Sequence, residues 1–178
     1  MATTIQESEA IPTNYPETPS GLSTAAAALD ADMIWARIEA YIAHRWTARS
    51  VIWVIDGGGE WNVPLAPATV SATEQWIDLA WVAITPDASA LGGYVLDGDG
   101  PFRITASVGS GTVPPAVDEA FVRLIEYAAN TGPGPAGATS SSHDVGGAAI
   151  SHDRSASWLA RALQNSGAAD LLRPFRKV

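Results

Sequence analysis

Residues 49–59 read RSVIWVIDGGG, and the reading of the fold turns on this stretch. Val51, Trp53 and Ile55 alternate with Ile52 and Val54, the period of two in which successive side chains point to opposite faces of a strand. Gly57, Gly58 and Gly59 end the run in a turn. Downstream, Pro64 and Pro67 bracket a bend before a second expected strand near residues 69–77. Asp78-Leu79-Ala80 then makes a tight connection to a third strand at 81–84. Gly92 and Gly93 open a fourth at 94–96, and the DGDG at 97–100 turns it into a fifth at 102–108. The gaps are too short for crossover helices, so these segments read as a small antiparallel sheet of hairpins.

Helical periodicity flanks this region on both sides. A helix starts near Asp30 or Asp32, either of which can cap it, and runs to about His44 with Ile34, Ile38, Tyr41 and Ile42 on one stripe. After GSGTVPP, Pro115 suits a first helical turn, where a missing N–H is harmless. Val117, Ala120, Phe121, Leu124, Ile125 and Ala128 follow at i, i+3, i+4 and i+7, with Asp118, Glu119, Arg123 and Glu126 on the other side. Gly109-Ser110-Gly111 lets the chain turn from strand into this helix. Residues 131–150 are almost entirely Gly, Pro, Ala, Ser and Thr and read as a flexible tether. A last helix is expected over roughly residues 154–164, with Gly167 placed to end it. The first 24 residues, interrupted by Pro12, Pro16 and Pro19, read as an extended arm.

Composition bounds the function classes. The 178 residues amount to one domain plus tails, and a 47% hydrophobic fraction is ample for a core. A net charge of −9 argues against general nucleic-acid binding, which needs a basic surface, although acidic walls suit a channel through which DNA slides. The absence of cysteine excludes disulfides, thiolate metal sites and a Cys nucleophile. No apolar run reaches bilayer length and the N-terminus has no signal-peptide pattern, so cytosolic synthesis is expected.

Chemistry-bearing patterns are weak. His143-Asp144 and His152-Asp153 fall in or beside the expected tether, and His44 stands alone, so no ligand pair supports a metal site. Gly109-Ser110-Gly111 lacks the spacing of a nucleophile elbow. Asp97 and Asp99 lack the distal Glu of a calcium loop, and a hairpin turn explains them. Gly57-Gly58-Gly59 has neither a following Lys nor a helix with which to cradle phosphate. Neither an enzyme, a cofactor nor a metal is therefore expected. One alternative stands: Trp53, Trp61, Trp76 and Trp81 on a small sheet would form a binding face for glycan or peptide, against sheet-core packing for most of them.

The functional clue is the end of the chain. Residues 166–178, SGAADLLRPFRKV, form an apolar segment with basic residues, on an acidic protein. Residues 151–178 hold Arg154, Arg161, Arg173, Arg176 and Lys177 against Asp153 and Asp170, whereas the first 32 residues carry five acidic residues and no basic one. Beyond so flexible a link, Leu171, Leu172 and Phe175 are expected to dock into a partner rather than into their own domain.

The order of elements resembles the head–tail connector (adaptor) proteins of long-tailed bacteriophages and the related gene transfer agents. MIWARIEAYIAHRW (residues 33–46) is similar to the family's helix entering an inserted β-region. VGSGTVPPAVDEAFVRLIEYAAN (residues 108–130) is similar to its Gly-rich strand end, VP and apolar helix. Leu171, Leu172, Pro174, Phe175 and Arg176 match its C-terminal pattern. The resemblance covers residues 30–130 and 158–178; the Pro-punctuated arm and the long Gly-rich tether depart from it.

The resemblance implies an α+β fold, a small helical bundle of the phage connector type with an inserted antiparallel β-region at 49–108. An extended arm at 1–29 would precede the connector domain at 30–130, with a tether at 131–150 and a C-terminal helix and docking tail at 151–178. It further implies a homo-oligomeric ring of about twelve copies at the virion neck. The ring would sit between the portal protein and a stopper or tail-terminator protein, and genome DNA would pass without specific binding. Leu171, Leu172, Arg173, Phe175 and Arg176 are the expected portal-docking residues, the apolar ones as anchors and the arginines setting register.

Overall fold

A computed structural model of the chain describes residues 1–130, 140–145, 148–153 and 157–177. Two units emerge: residues 1–16, 39–112 and 176–178 form a sheet unit, and residues 17–38 and 113–175 a helical unit. The main sheet of the first contains β1 (Thr3–Glu9), β2 (Arg49–Asp56), β4 (Ala68–Ile77), β5 (Ala80–Ala83) and β8 (Phe102–Val108). They lie in the order β1-β2-β8-β4-β5, every neighbouring pair antiparallel. Three short strands, β3 (Gly59–Trp61), β6 (Asp87–Ala88) and β7 (Tyr94–Leu96), make a second sheet in the order β3-β7-β6.

Alternation decides which face is buried. In β2, Val51, Trp53 and Ile55 are fully buried while Ser50, Ile52 and Asp56 are exposed. β8 repeats the pattern with Phe102, Ile104, Ala106 and Val108 inside. Trp61, Leu65, Leu96 and Ala2 complete this core, so the sheet unit closes an interior of its own. Gly109, at φ +95, ends β8; a Cβ there would stand 2.2 Å from the Thr47 carbonyl oxygen, which only glycine tolerates.

In the helical unit, α1 (Thr24–Ala27) and α2 (Ala31–Ile42, of which the residues up to Ile38 belong here) precede α3 (Pro115–Ala129). Val117, Ala120, Phe121, Leu124 and Ile125 form the buried stripe of α3, and the Phe121 ring meets that of Trp35 at 4.7 Å. Ser23 caps α1, its hydroxyl accepting from Ala26 N–H at 3.2 Å, and its own N–H and hydroxyl donate to the Glu126 carboxylate at 2.7 and 2.8 Å. The chain ends in α4 (Ala162–Asn165), α5 (Ala168–Leu172) and a 3-10 turn over Arg173–Phe175.

Several expectations are corrected. The fold is not a small helical bundle carrying an inserted β-region: the described chain is sheet-rich, and only α2 and α3 exceed five residues among the described helices. The physical reason is that the sheet carries its own core and takes β1 from the arm. Residues 3–9 of the expected extended arm form β1, whose backbone groups find a ladder on the edge of β2. β7 and β8 do not form a hairpin across DGDG, because β7 pairs with β3 and β6. Part of the expected tether is paired: β9 (Ser140–Val145) and β10 (Ala148–Asp153) make an antiparallel hairpin. Residues 131–139 and 146–147 of that tether, and 154–156 of the expected last helix, lie outside the described residues. Among the described residues of that span only α4 is helical, and Gly167 at φ +76 separates it from α5.

Candidate functional site

The C-terminal segment is built on α5. Ala168 and Leu172 are fully buried in the helical unit, where α5 packs against α3. The reasoning that this segment is too far from its own domain to be buried is thus corrected: α4 and α5 turn back at Gly167, and Leu172 reaches the interior. Leu171 and Phe175 are half-buried, and Arg173, Pro174 and Arg176 are exposed. The five expected docking residues therefore divide into a buried root, Leu172, and a group reaching the surface in full or in part.

The last described residues run along the sheet unit. Lys177 N–H donates to the Ile42 carbonyl at 2.9 Å. Its ammonium donates to the Val63 carbonyl and lies 3.5 Å from that of Leu65. Burial holds the Lys177 pKa below the usual lysine range. The Arg176 guanidinium sits over the Tyr41 ring, 5.5 Å being the comparable spacing of Arg49 over Tyr15 and 5.4 Å that of Arg176 itself.

The four tryptophans proposed for a binding face are split by the strand pleat. Trp53 and Trp61 are core residues, their rings in edge contact at 5.6 Å. Trp76 and Trp81, directly opposed on β4 and β5, stand on the outer face with rings 5.2 Å apart. Trp76 is 39% exposed. Arg103 lies 4.6 Å over Trp81 and forks onto Glu74 with bonds of 2.7 and 2.8 Å. That hydrogen bond holds the Glu74 carboxyl below its ordinary range.

Sequence reasoning missed a cluster of four charges in the sheet unit. Glu39, 1% exposed, accepts from the Trp46 N–H at 3.0 Å and from Arg49 Nη2 at 2.6 Å. Arg45 grips Glu9 of β1 with two bonds of 2.6 and 2.9 Å and donates to the Glu39 carbonyl at 2.6 Å. Arg49 also approaches Glu9 at 3.3 Å. Burial works against the Arg45 charge, but the Glu9 hydrogen bond and the fields of Glu9, Glu39 and Glu7 outweigh it and raise its pKa. The available signal was Glu39 within an otherwise apolar helical stripe, followed closely by two arginines.

His44 lies beside this cluster with its ring 4.9 Å from Trp46, and burial followed by the Arg45 charge lowers its pKa. Among residues whose side chains are described, no three His, Cys, Asp or Glu side chains gather as metal ligands. His143 and His152 lie on the β9 and β10 strands. No family model, curated protein or solved structure matches the chain.

Proposed function

We propose that the chain is a non-enzymatic virion protein, a head–tail connector that forms a ring between the portal and the stopper or tail of a long-tailed phage or gene transfer agent. The observation that carries this reading is the C-terminal segment, in which Leu172 is buried and Arg173 and Arg176 are exposed, on a chain of net charge −9. Exposed arginines offer a partner a basic contact, and arginine forks suit recognition of carboxylates. The acidic remainder suits passage of DNA through a ring without adhesion. The LLRPFR pattern and the sequence stretches at 33–46 and 108–130 support the family reading.

In this reading Leu172 holds the segment to its own unit, and Leu171, Arg173, Phe175 and Arg176 meet the portal. The test is the charge-reversed variant Arg173→Glu/Arg176→Glu, both positions being exposed. Its melting temperature is expected to stay near that of the parent while head–tail joining in assembled particles fails. Normal joining yield with this variant would remove the basis of the proposal.

A second reading is favoured by one observation, the outward Trp76–Trp81 pair with Arg103 against it. Such an aromatic platform suits a glycan or peptide. Saturable binding of a small sugar or peptide, abolished by Trp76→Ala, with no association with portal, would replace the connector reading.

A further inference from the structure

β1 is held to the sheet in an unusual way. It sits on the edge, with β2 as its sole strand partner among the described residues, and the pairing runs from Thr3↔Asp56 to Glu9↔Val51, extended by Ala10 N–H to the Ser50 carbonyl at 2.9 Å. A bulge between Thr4 and Gln6 sets Ile5 aside, 63% exposed, and brings Thr4, Glu7 and Glu9 opposite the inward-facing residues of β2. These three side chains then catch what the sheet presents. Thr4 Oγ1 accepts from the Trp61 indole N–H at 2.9 Å, Glu7 from the Trp53 indole N–H at 2.9 Å, and Glu9 takes the Arg45 fork. Of the apolar residues at this end, Ala2 alone is buried; Met1 and Ile5 are open to solvent.

The attachment is therefore polar and sequence-specific, with little apolar burial. The socket is also costly to leave empty, because Trp53, Trp61 and Arg45 would lose the acceptors of buried or half-buried donors and β2 would become a bare edge. Beyond Ala10, residues 11–23 form no helix or strand and contain Pro12, Pro16 and Pro19. Exchange would carry this segment with the strand and release the Tyr15 ring from under Arg49. A socket that must be filled, and whose contacts are specific to TTIQESE, selects the same strand from another copy.

We propose that β1 is an exchangeable strand, and that the groove along β2 accepts the β1 of a second copy of this chain. In dilute solution the tether fills each socket with its own strand, because its effective concentration is of millimolar order. Where copies are held side by side, exchange links neighbours without any new contact surface. The inference goes beyond the neck assignment and does not depend on it.

The test uses the full chain, which has no cysteine of its own. Ser8 and Ile52 are exposed register partners, and Asp56 is an exposed residue of the same strand, paired with Thr3. Equal amounts of Ser8→Cys and Ile52→Cys chains are held together at roughly 1 mM in mild urea, returned to buffer, diluted, oxidised and run on a non-reducing gel. Ser8→Cys with Asp56→Cys serves as the out-of-register mixture, its thiols about four residues apart along the strand. The in-register mixture is expected to give at least ~10-fold more mixed disulfide dimer, since directly opposed residues fall within disulfide reach. Equal yields overturn the proposal. The double variant Ser8→Cys/Ile52→Cys, oxidised when dilute, is expected to close within one chain; failure to close overturns it as well, because β1 would not occupy the groove.

Discussion

Glu39→Ala tests the buried charge cluster where its cost is greatest. The carboxylate is 1% exposed and holds Arg49 at 2.6 Å and the Trp46 N–H at 3.0 Å. Truncation leaves Arg49, itself 7% exposed, with Glu9 at 3.3 Å and the Thr47 carbonyl at 3.2 Å as its described polar partners. Cutting one member from a buried pair costs about 3–5 kcal/mol, because the remaining charge stays desolvated. Glu9 recovers part of this, so a loss of about 3 kcal/mol is expected. Urea unfolding at pH 7, followed by tryptophan fluorescence, reads it as a shift in midpoint at constant slope.

The double variant Glu39→Met/Arg49→Met discriminates the cause. It removes both charges at similar volume, and Arg45 still grips Glu9 with two bonds, so no carboxylate is abandoned. It is expected to regain at least half of the single-variant loss, the non-additivity of a coupled pair. A loss below about 1 kcal/mol for Glu39→Ala, or a double variant as costly as the sum of the two singles, would refute the electrostatic account.

Three further outcomes follow from particular contacts. Gly109→Ala forces a Cβ against the Thr47 carbonyl at positive φ and is expected to cost about 2–4 kcal/mol in urea unfolding, whereas Gly167→Ala, facing only the mobile end of Arg123, costs about 1. Leu172→Ala empties a fully buried site and is expected to lose about 2–5 kcal/mol, measured the same way; no loss would mean that the tail is not rooted in its own unit. The Ser23 backbone and hydroxyl hydrogen bonds lower the Glu126 pKa, so their stabilisation is present above the ordinary carboxyl range and is lost as pH falls through the lowered value. Glu126→Gln is expected to flatten that part of the acid limb in a pH series of melting curves, and an unchanged limb would refute the linkage.

Local pattern by itself determined the elements whose periodicity is strong. The period of two in residues 51–55, the glycines after it and the stripe from Val117 to Ile125 correspond to β2, its closing turn and α3. Strand spans at 94–96 and 102–108 were likewise legible, because alternation and turn residues are properties of neighbours in the chain. What only the tertiary structure decided was partnership. TTIQESE has no apolar alternation to mark it as a strand; it becomes one because β2 has a free edge and because Arg45, Trp53 and Trp61 need acceptors. Trp53 and Trp76 belong to similar alternating runs, yet the pleat buries one and exposes the other. Leu172 reads as a free anchor in a one-dimensional chain and is an interior residue once α4 and α5 turn back at Gly167. Periodicity states which side chains share a face, but the removal of a face from water depends on residues far away in sequence that arrive to cover it.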